Sequence, residues 1–107
     1  MADIPKLNEA AFDAEVLKST LPVMVDFTAV WCGPCKMLDS VVTQLSQDWG
    51  GKVKFVKLDV DDNSNLAVQY GVMGVPTLIL FVGGKVVQRL SGYQPKDRII
   101  SKFGSFI

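Results

Sequence analysis

Two cysteines, Cys32 and Cys35, are the only thiols in a chain of 107 residues, and they stand three positions apart. Disulfide exchange needs a thiolate that solvent can reach and a second thiol that resolves the mixed disulfide. The run Trp31-Cys32-Gly33-Pro34-Cys35-Lys36 supplies both. Cys32 falls just before a predicted helix, so its sulfur can face the unpaired N–H groups of the first turn, which favour the anion. Cys35 lies one turn on, on the same side of that helix, where its sulfur can reach Cys32. Cys35 is expected to be the more buried and less reactive of the two. Gly33 keeps the turn free of bulk, Pro34 suits the first helical turn, and Lys36 adds a nearby positive charge.

A Cys-x-x-Cys can also be half of a four-ligand zinc site. Here the sequence has no other cysteine and no histidine. Zinc would then need a dimer or non-protein ligands, so no metal site is expected. The absence of histidine also excludes Ser-His and Cys-His catalysis. In a reducing compartment an isolated pair of this kind is more often redox-active or metal-binding than a structural brace. The dithiol is its own redox centre, and no bound cofactor is expected.

The elements that must position the pair alternate quickly. Asn8 is an N-cap for a helix with Phe12 and Val16 on one face. Val23 to Phe27 reads as a buried strand after Pro22. Leu38, Val41, Val42 and Leu45 carry the helix after Cys32, which Gly50-Gly51 ends. Val53 to Val60 reads as a strand, Ser64 to Tyr70 as a short helix stopped by Gly71, and Thr77 to Val82 as a strand covered on both faces. Gly83-Gly84 turns the chain into Lys85 to Leu90. A last helix starts near Pro95 and is expected to bury Ile99, Ile100, Phe103 and Phe106, with Gly104 weakening its end. With a short first strand at Lys6 and Leu7 the order is β-α-β-α-β-α-β-β-α. Strands alternating with helices imply parallel neighbours, and the Gly-Gly hairpin adds one antiparallel pair. The result is a mixed α/β sheet with helices on both faces, in a single domain over residues 1–107.

Eleven basic and eleven acidic side chains cancel to zero net charge, which gives no support to nucleic-acid binding or a polybasic membrane patch. The apolar runs are too short to span a bilayer. The opening Met1-Ala2-Asp3-Ile4-Pro5 lacks the charged-then-apolar layout of a secretory signal. A monomeric cytoplasmic protein is expected, unless a signal was removed.

Asp26 interrupts the apolar strand Val23-Met24-Val25-Asp26-Phe27. Burial would raise its pKa, and a carboxyl so poised could take the Cys35 proton, directly or through a water. It could equally be a buried acid that only satisfies hydrogen bonds. Lys57 is in phase with Val53 and Phe55, so its stem runs inward toward Asp26 and tunes it, or its ammonium snorkels to water. Trp31 covers one side of the site and contacts substrate, or is a packing aromatic. Gly74 and Gly92 let a partner chain approach, or are turn glycines. Trp49 reads as packing only.

The hexapeptide Trp31 to Lys36 resembles the active site of the thioredoxin family. The resemblance extends over essentially the whole chain, through Val25-Asp26-Phe27, Lys57, Gly74-Val75-Pro76-Thr77, Gly83-Gly84 and Gly92. It implies a central five-stranded mixed sheet flanked by four helices. It implies reduction of disulfide-containing proteins, with Cys32 attacking and Cys35 resolving, and re-reduction by thioredoxin reductase, a flavoprotein that draws on NADPH. It implies proton transfer at Asp26 and a cis Pro76 facing the cysteines, which holds the Val75 backbone open to an extended substrate peptide. Three positions depart from the usual pattern. Thr28 replaces an aromatic and leaves a packing gap near the motif. Ser40 replaces a helix proline, which removes a kink. Tyr93 replaces a small residue beside the substrate. An oxidase or isomerase usually has other residues at Gly33 and Pro34. A binding subunit without redox turnover remains compatible as a second role.

Overall fold

The computed structural model describes residues 4–107, so the expectations resting on Met1, Ala2 and Asp3 lie outside the described residues. The elements are β1 (Lys6–Leu7), α1 (Glu9–Phe12), β2 (Val23–Thr28), α2 (Gly33–Asp48), β3 (Lys54–Asp59), α3 (Ser64–Gln69), β4 (Thr77–Val82), β5 (Lys85–Ser91) and α4 (Lys96–Phe103). The strands form one mixed sheet in the order β1-β3-β2-β4-β5. With its four helices, this is the thioredoxin fold.

β2 is central, and its alternation divides the core in two. Met24 packs with Leu38, Val42 and Leu45 of α2, Leu78 and Leu80 of β4, and Ile99 and Phe103 of α4. Val23, Val25 and Phe27 point the other way, against Phe12, Val16, Leu66, Ile79 and Phe81. Successive side chains of a strand face opposite sides, so a run with apolar residues on both phases needs cover on both faces. Each large side chain buried here contributes about 2 kcal/mol. Asp26 lies in this run, in phase with Met24, and therefore faces α2.

β2 runs parallel to β3 but antiparallel to β4, which itself pairs antiparallel with β5. There are thus two antiparallel pairs, where the sequence pattern implied one. The cause is the length of α3. Six helical residues rise only about 9 Å, too short to carry the chain back along β3. β4 therefore starts where β3 ends and returns beside β2, Thr77 opposite Phe27.

Asn8 caps α1 by accepting the Ala11 N–H at 3.0 Å. The helix then widens into a π-helical segment, Asp13–Leu17, in place of the regular helix expected. The wider turn keeps Phe12 and Val16, four positions apart, on the buried side. α4 also differs from expectation. Ile99 and Phe103 are buried, but Ile100 and Phe106 are exposed. Ile100 lies about 100° round the helix from Ile99. The α-helix stops at Phe103, and Gly104–Phe106 form a 3-10 turn that does not carry Phe106 back onto the sheet. Trp49 stacks on Phe55 with ring centroids 6.3 Å apart, a packing contact.

Candidate active site

The ends of β2 and β3 and the start of β4 meet at one edge of the sheet, and α2 begins there. Cys32 is the N-cap of α2, with extended backbone, and Gly33 and Pro34 open the helix. Extended backbone at the cap turns the Cys32 sulfur back over the first turn, where it accepts the Cys35 N–H at 3.1 Å. Cys32 and Cys35 form a disulfide, their Cα atoms 5.3 Å apart. Four first-turn N–H groups of a helix lack partners within it. One of them already points at Cys32 Sγ, the geometry that favours a thiolate there once the disulfide opens.

The two cysteines are almost equally covered, Cys32 at 4 % exposure and Cys35 at 3 %. The expected contrast in burial is absent, because Ala29, Val60 and Val75 pack around both. Cys32 Sγ lies 3.8 Å from the Val75 carbonyl oxygen. The Val75–Pro76 bond is cis. Thr77 Oγ1 donates to the Gly74 carbonyl at 2.7 Å, and the Gly92 N–H donates to the Pro76 carbonyl at 2.8 Å. Gly92 makes that bond with φ +82°, a backbone region that glycine enters without strain. Gly74, Val75, Pro76 and Gly92 are therefore one linked structure on the β4 side of the disulfide.

Trp31 is exposed, and its Nε1–H donates to Asp61 Oδ2 at 2.7 Å. The ring forms one wall of a shallow cleft of about 150 Å³, with Val60, Val72, Met73, Gly74 and Val75 as the others. Met73 is fully exposed beside it. An apolar cleft bordered by the backbone of Gly74 and Val75 can accept an extended peptide next to the disulfide.

Between the start of α2 and the ends of β2 and β3 a second cavity, of about 210 Å³, is lined by Thr28, Cys35, Lys36, Asp39, Lys57, Asp59 and others. It lies where the small Thr28 was expected to leave a gap. Asp26 is 2 % exposed, and its Oδ1 is buried with no hydrogen-bond partner. Burial pushes the carboxyl up from its ordinary 3.8 to about 7; the Asp39 carboxylate pushes the same way, and Lys57 opposes both. Lys57 is the ladder partner of Asp26 across β2 and β3, as its phase required. Its ammonium goes neither to Asp26 nor simply to water. It pairs with Asp39 Oδ1 at 2.5 Å.

Three acids of this site were not singled out by the sequence reading. Asp39 lies four residues after Cys35, one helical turn along the same face, and that spacing was a usable signal. Asp61 anchors Trp31 from the loop after β3. Asp59 is buried and accepts the N–H groups of Asp61 and Asp62 at 2.8 and 3.2 Å, which shapes that loop. No local pattern marks either partner of a bond that spans thirty residues. Ser40 is exposed within an unbroken α2, and Tyr93 is exposed. Among the described residues no group of acids, cysteines or histidines is placed to hold a metal ion, and no helix is long and apolar enough to cross a membrane.

Comparison with known proteins places this arrangement. The thioredoxin family model matches residues 3–105. A thioredoxin of Synechocystis sp. is 46 % identical over 107 residues, covering 100 % of both chains. A thioredoxin of Haemophilus influenzae is 42 % identical over 99 residues, 92 % of each chain. Thioredoxin M2, chloroplastic, of Arabidopsis thaliana is 46 % identical over 98 % of this chain, which spans only 56 % of that longer protein.

Proposed function

This chain belongs to the thioredoxin family and is a thiol–disulfide oxidoreductase, and we propose that it is a general electron donor to disulfide-containing proteins, re-reduced by an NADPH-dependent flavoprotein reductase. The observation that carries this reading is the Cys32–Cys35 disulfide at the N-terminus of α2, with the Cys35 N–H on Cys32 Sγ.

In the proposed cycle the Cys32 thiolate attacks one sulfur of a substrate disulfide. That S–S bond breaks, a Cys32–substrate disulfide forms, and the first substrate thiolate leaves. Cys35 gives its proton to the Asp26 carboxylate, directly or through a water, and its thiolate attacks Cys32 Sγ. The second substrate thiolate leaves and takes up a proton. Two electrons have passed to the substrate, and the Cys32–Cys35 disulfide remains. A carboxyl that titrates near 7 accepts and returns a proton at neutral pH better than one near 4. Trp31, Gly74, Val75, Pro76 and Gly92 hold the substrate chain in the cleft beside the disulfide, and Gly33 and Pro34 shape the turn that carries Cys32. Lys57 acts on Asp26 by charge. The exchange needs no bound cofactor or metal, and no nucleic acid or membrane enters it. We place the protein in a reducing cytoplasm, as a monomer.

The test is a coupled assay: NADPH, a thioredoxin reductase, this protein and a protein with interchain disulfides. NADPH oxidation that depends on both cysteines supports the reading. Turnover with a small dithiol but none with the reductase removes the proposed electron source.

A further inference from the structure

Asp39 is a carboxylate that the exchange cycle above does not use, yet it takes the only ammonium next to Asp26 in the β-ladder. We propose that Asp39 is a positioning residue for the reaction: it holds the Lys57 ammonium on the α2 side of the cavity and keeps it from pairing with Asp26, whose carboxyl then stays available to the Cys35 proton. The inference rests on the proton-transfer reading of Asp26.

The geometry is specific. Lys57 and Asp26 are directly opposite in the parallel pair β2–β3, their side chains on one face. Left alone, a lysine so placed would turn its ammonium onto the buried carboxylate. Instead Lys57 Nζ sits 2.5 Å from Asp39 Oδ1, and Asp26 Oδ1 has no partner. The Lys57 side chain is 23 % exposed and that of Asp39 is 44 % exposed, so the pair lies at the cavity mouth and not in the core. The ionisable groups of this face come from three elements. Lys57 and Asp59 are on β3, Lys6 on β1 opposite Lys57, and Cys35, Lys36 and Asp39 on α2. From β4 and α4, Leu78, Leu80, Ile99 and Phe103 pack on this side of the sheet. Asp59 is committed to two backbone N–H groups, and Lys6 and Lys36 repel Lys57. Asp39 is thus the group that decides where the Lys57 charge rests. A cation moved onto Asp26 would favour its charged form and weaken it as a base.

Carbon NMR of the labelled Asp26 carboxyl, recorded against pH in the disulfide form, reads this without any activity. Four proteins are compared: wild type, Asp39→Asn, Lys57→Met and the double variant. Asp39→Asn should lower the Asp26 midpoint by about one pH unit, because an opposite charge at close range shifts a carboxyl by one to three. In the Lys57→Met background the same substitution should lower it by less than half as much. Asp39→Glu, which keeps the carboxylate, should restore the wild-type midpoint. An unmoved midpoint, or equal shifts with and without Lys57, overturns the proposal. Failure of the wild type to reduce protein disulfides would defeat the reductase reading and leave this titration standing.

Discussion

Replacing Asp26 with Asn should stabilise the protein at neutral and alkaline pH and lose that advantage in acid. The carboxyl titrates at about 7 when folded against 3.8 as an ordinary aspartate, because it is buried beside Asp39 with an oxygen unpaired. Its folded pKa is raised, so folding takes up a proton between those two values. The contribution of the neutral acid is fully present below the unfolded pKa and is lost as pH rises through about 7. A gap of about three units is worth about 4 kcal/mol in the alkaline limit. Between about pH 5 and pH 9 the wild type should lose about 3 kcal/mol relative to the variant, since part of the gap is already spent at pH 5. For a domain of this size that is a relative fall in Tm of more than about 10 °C. Denaturant unfolding of both proteins in the disulfide form, at several pH values, measures it. Asn carries its own burial cost, but that cost does not vary with pH, so the slope of the difference is the diagnostic quantity. A difference that stays constant across this range would refute the account of Asp26.

Cys35→Ser should leave Cys32 able to attack but unable to be released, so a covalent protein–substrate adduct accumulates and turnover falls to background; intact mass after quenching shows it. Trp31→Ala removes a wall of the substrate cleft and the bond to Asp61, and should lower kcat/KM for a protein disulfide about tenfold, with little change for a small disulfide. Gly84→Ala should destabilise by about 2 kcal/mol in thermal unfolding, because Gly84 has φ +80° and an added Cβ would lie 2.7 Å from the Leu17 carbonyl oxygen.

The elements that position the site were legible because their signals are local. The mainly apolar β2 and β4, Pro34 in the first turn of α2 and the Gly-Gly hairpin each act within a few residues. Thr77–Val82 was read to the residue. The π-helical turn at Asp13–Leu17 was not legible, since helical and π-helical spacing differ too little over one turn to show in a pattern of two buried residues. Ile100 was misread for a related reason. An apolar pair at adjacent positions does not say which one faces the sheet until the helix is docked. Within the site, Cys32, Cys35 and Asp26 were found by residue type and spacing. The cis bond at Pro76 came only through the family resemblance, and the bond from the Gly92 N–H to the Pro76 carbonyl was not foreseen at all, because nothing near Gly92 records which strand end will meet it. The destination of the Lys57 ammonium was missed because it depends on a second helix, where Asp39 competes for it.

The most direct test of the central claim is the redox equilibrium of the Cys32–Cys35 pair. The protein is equilibrated in dithiol/disulfide buffers of graded ratio, alkylated to trap its thiols, and read by mass. A reductase of protein disulfides predicts a midpoint more reducing than the glutathione pool, with two electrons per protein. A clearly oxidising midpoint would contradict it and point to an oxidase or isomerase.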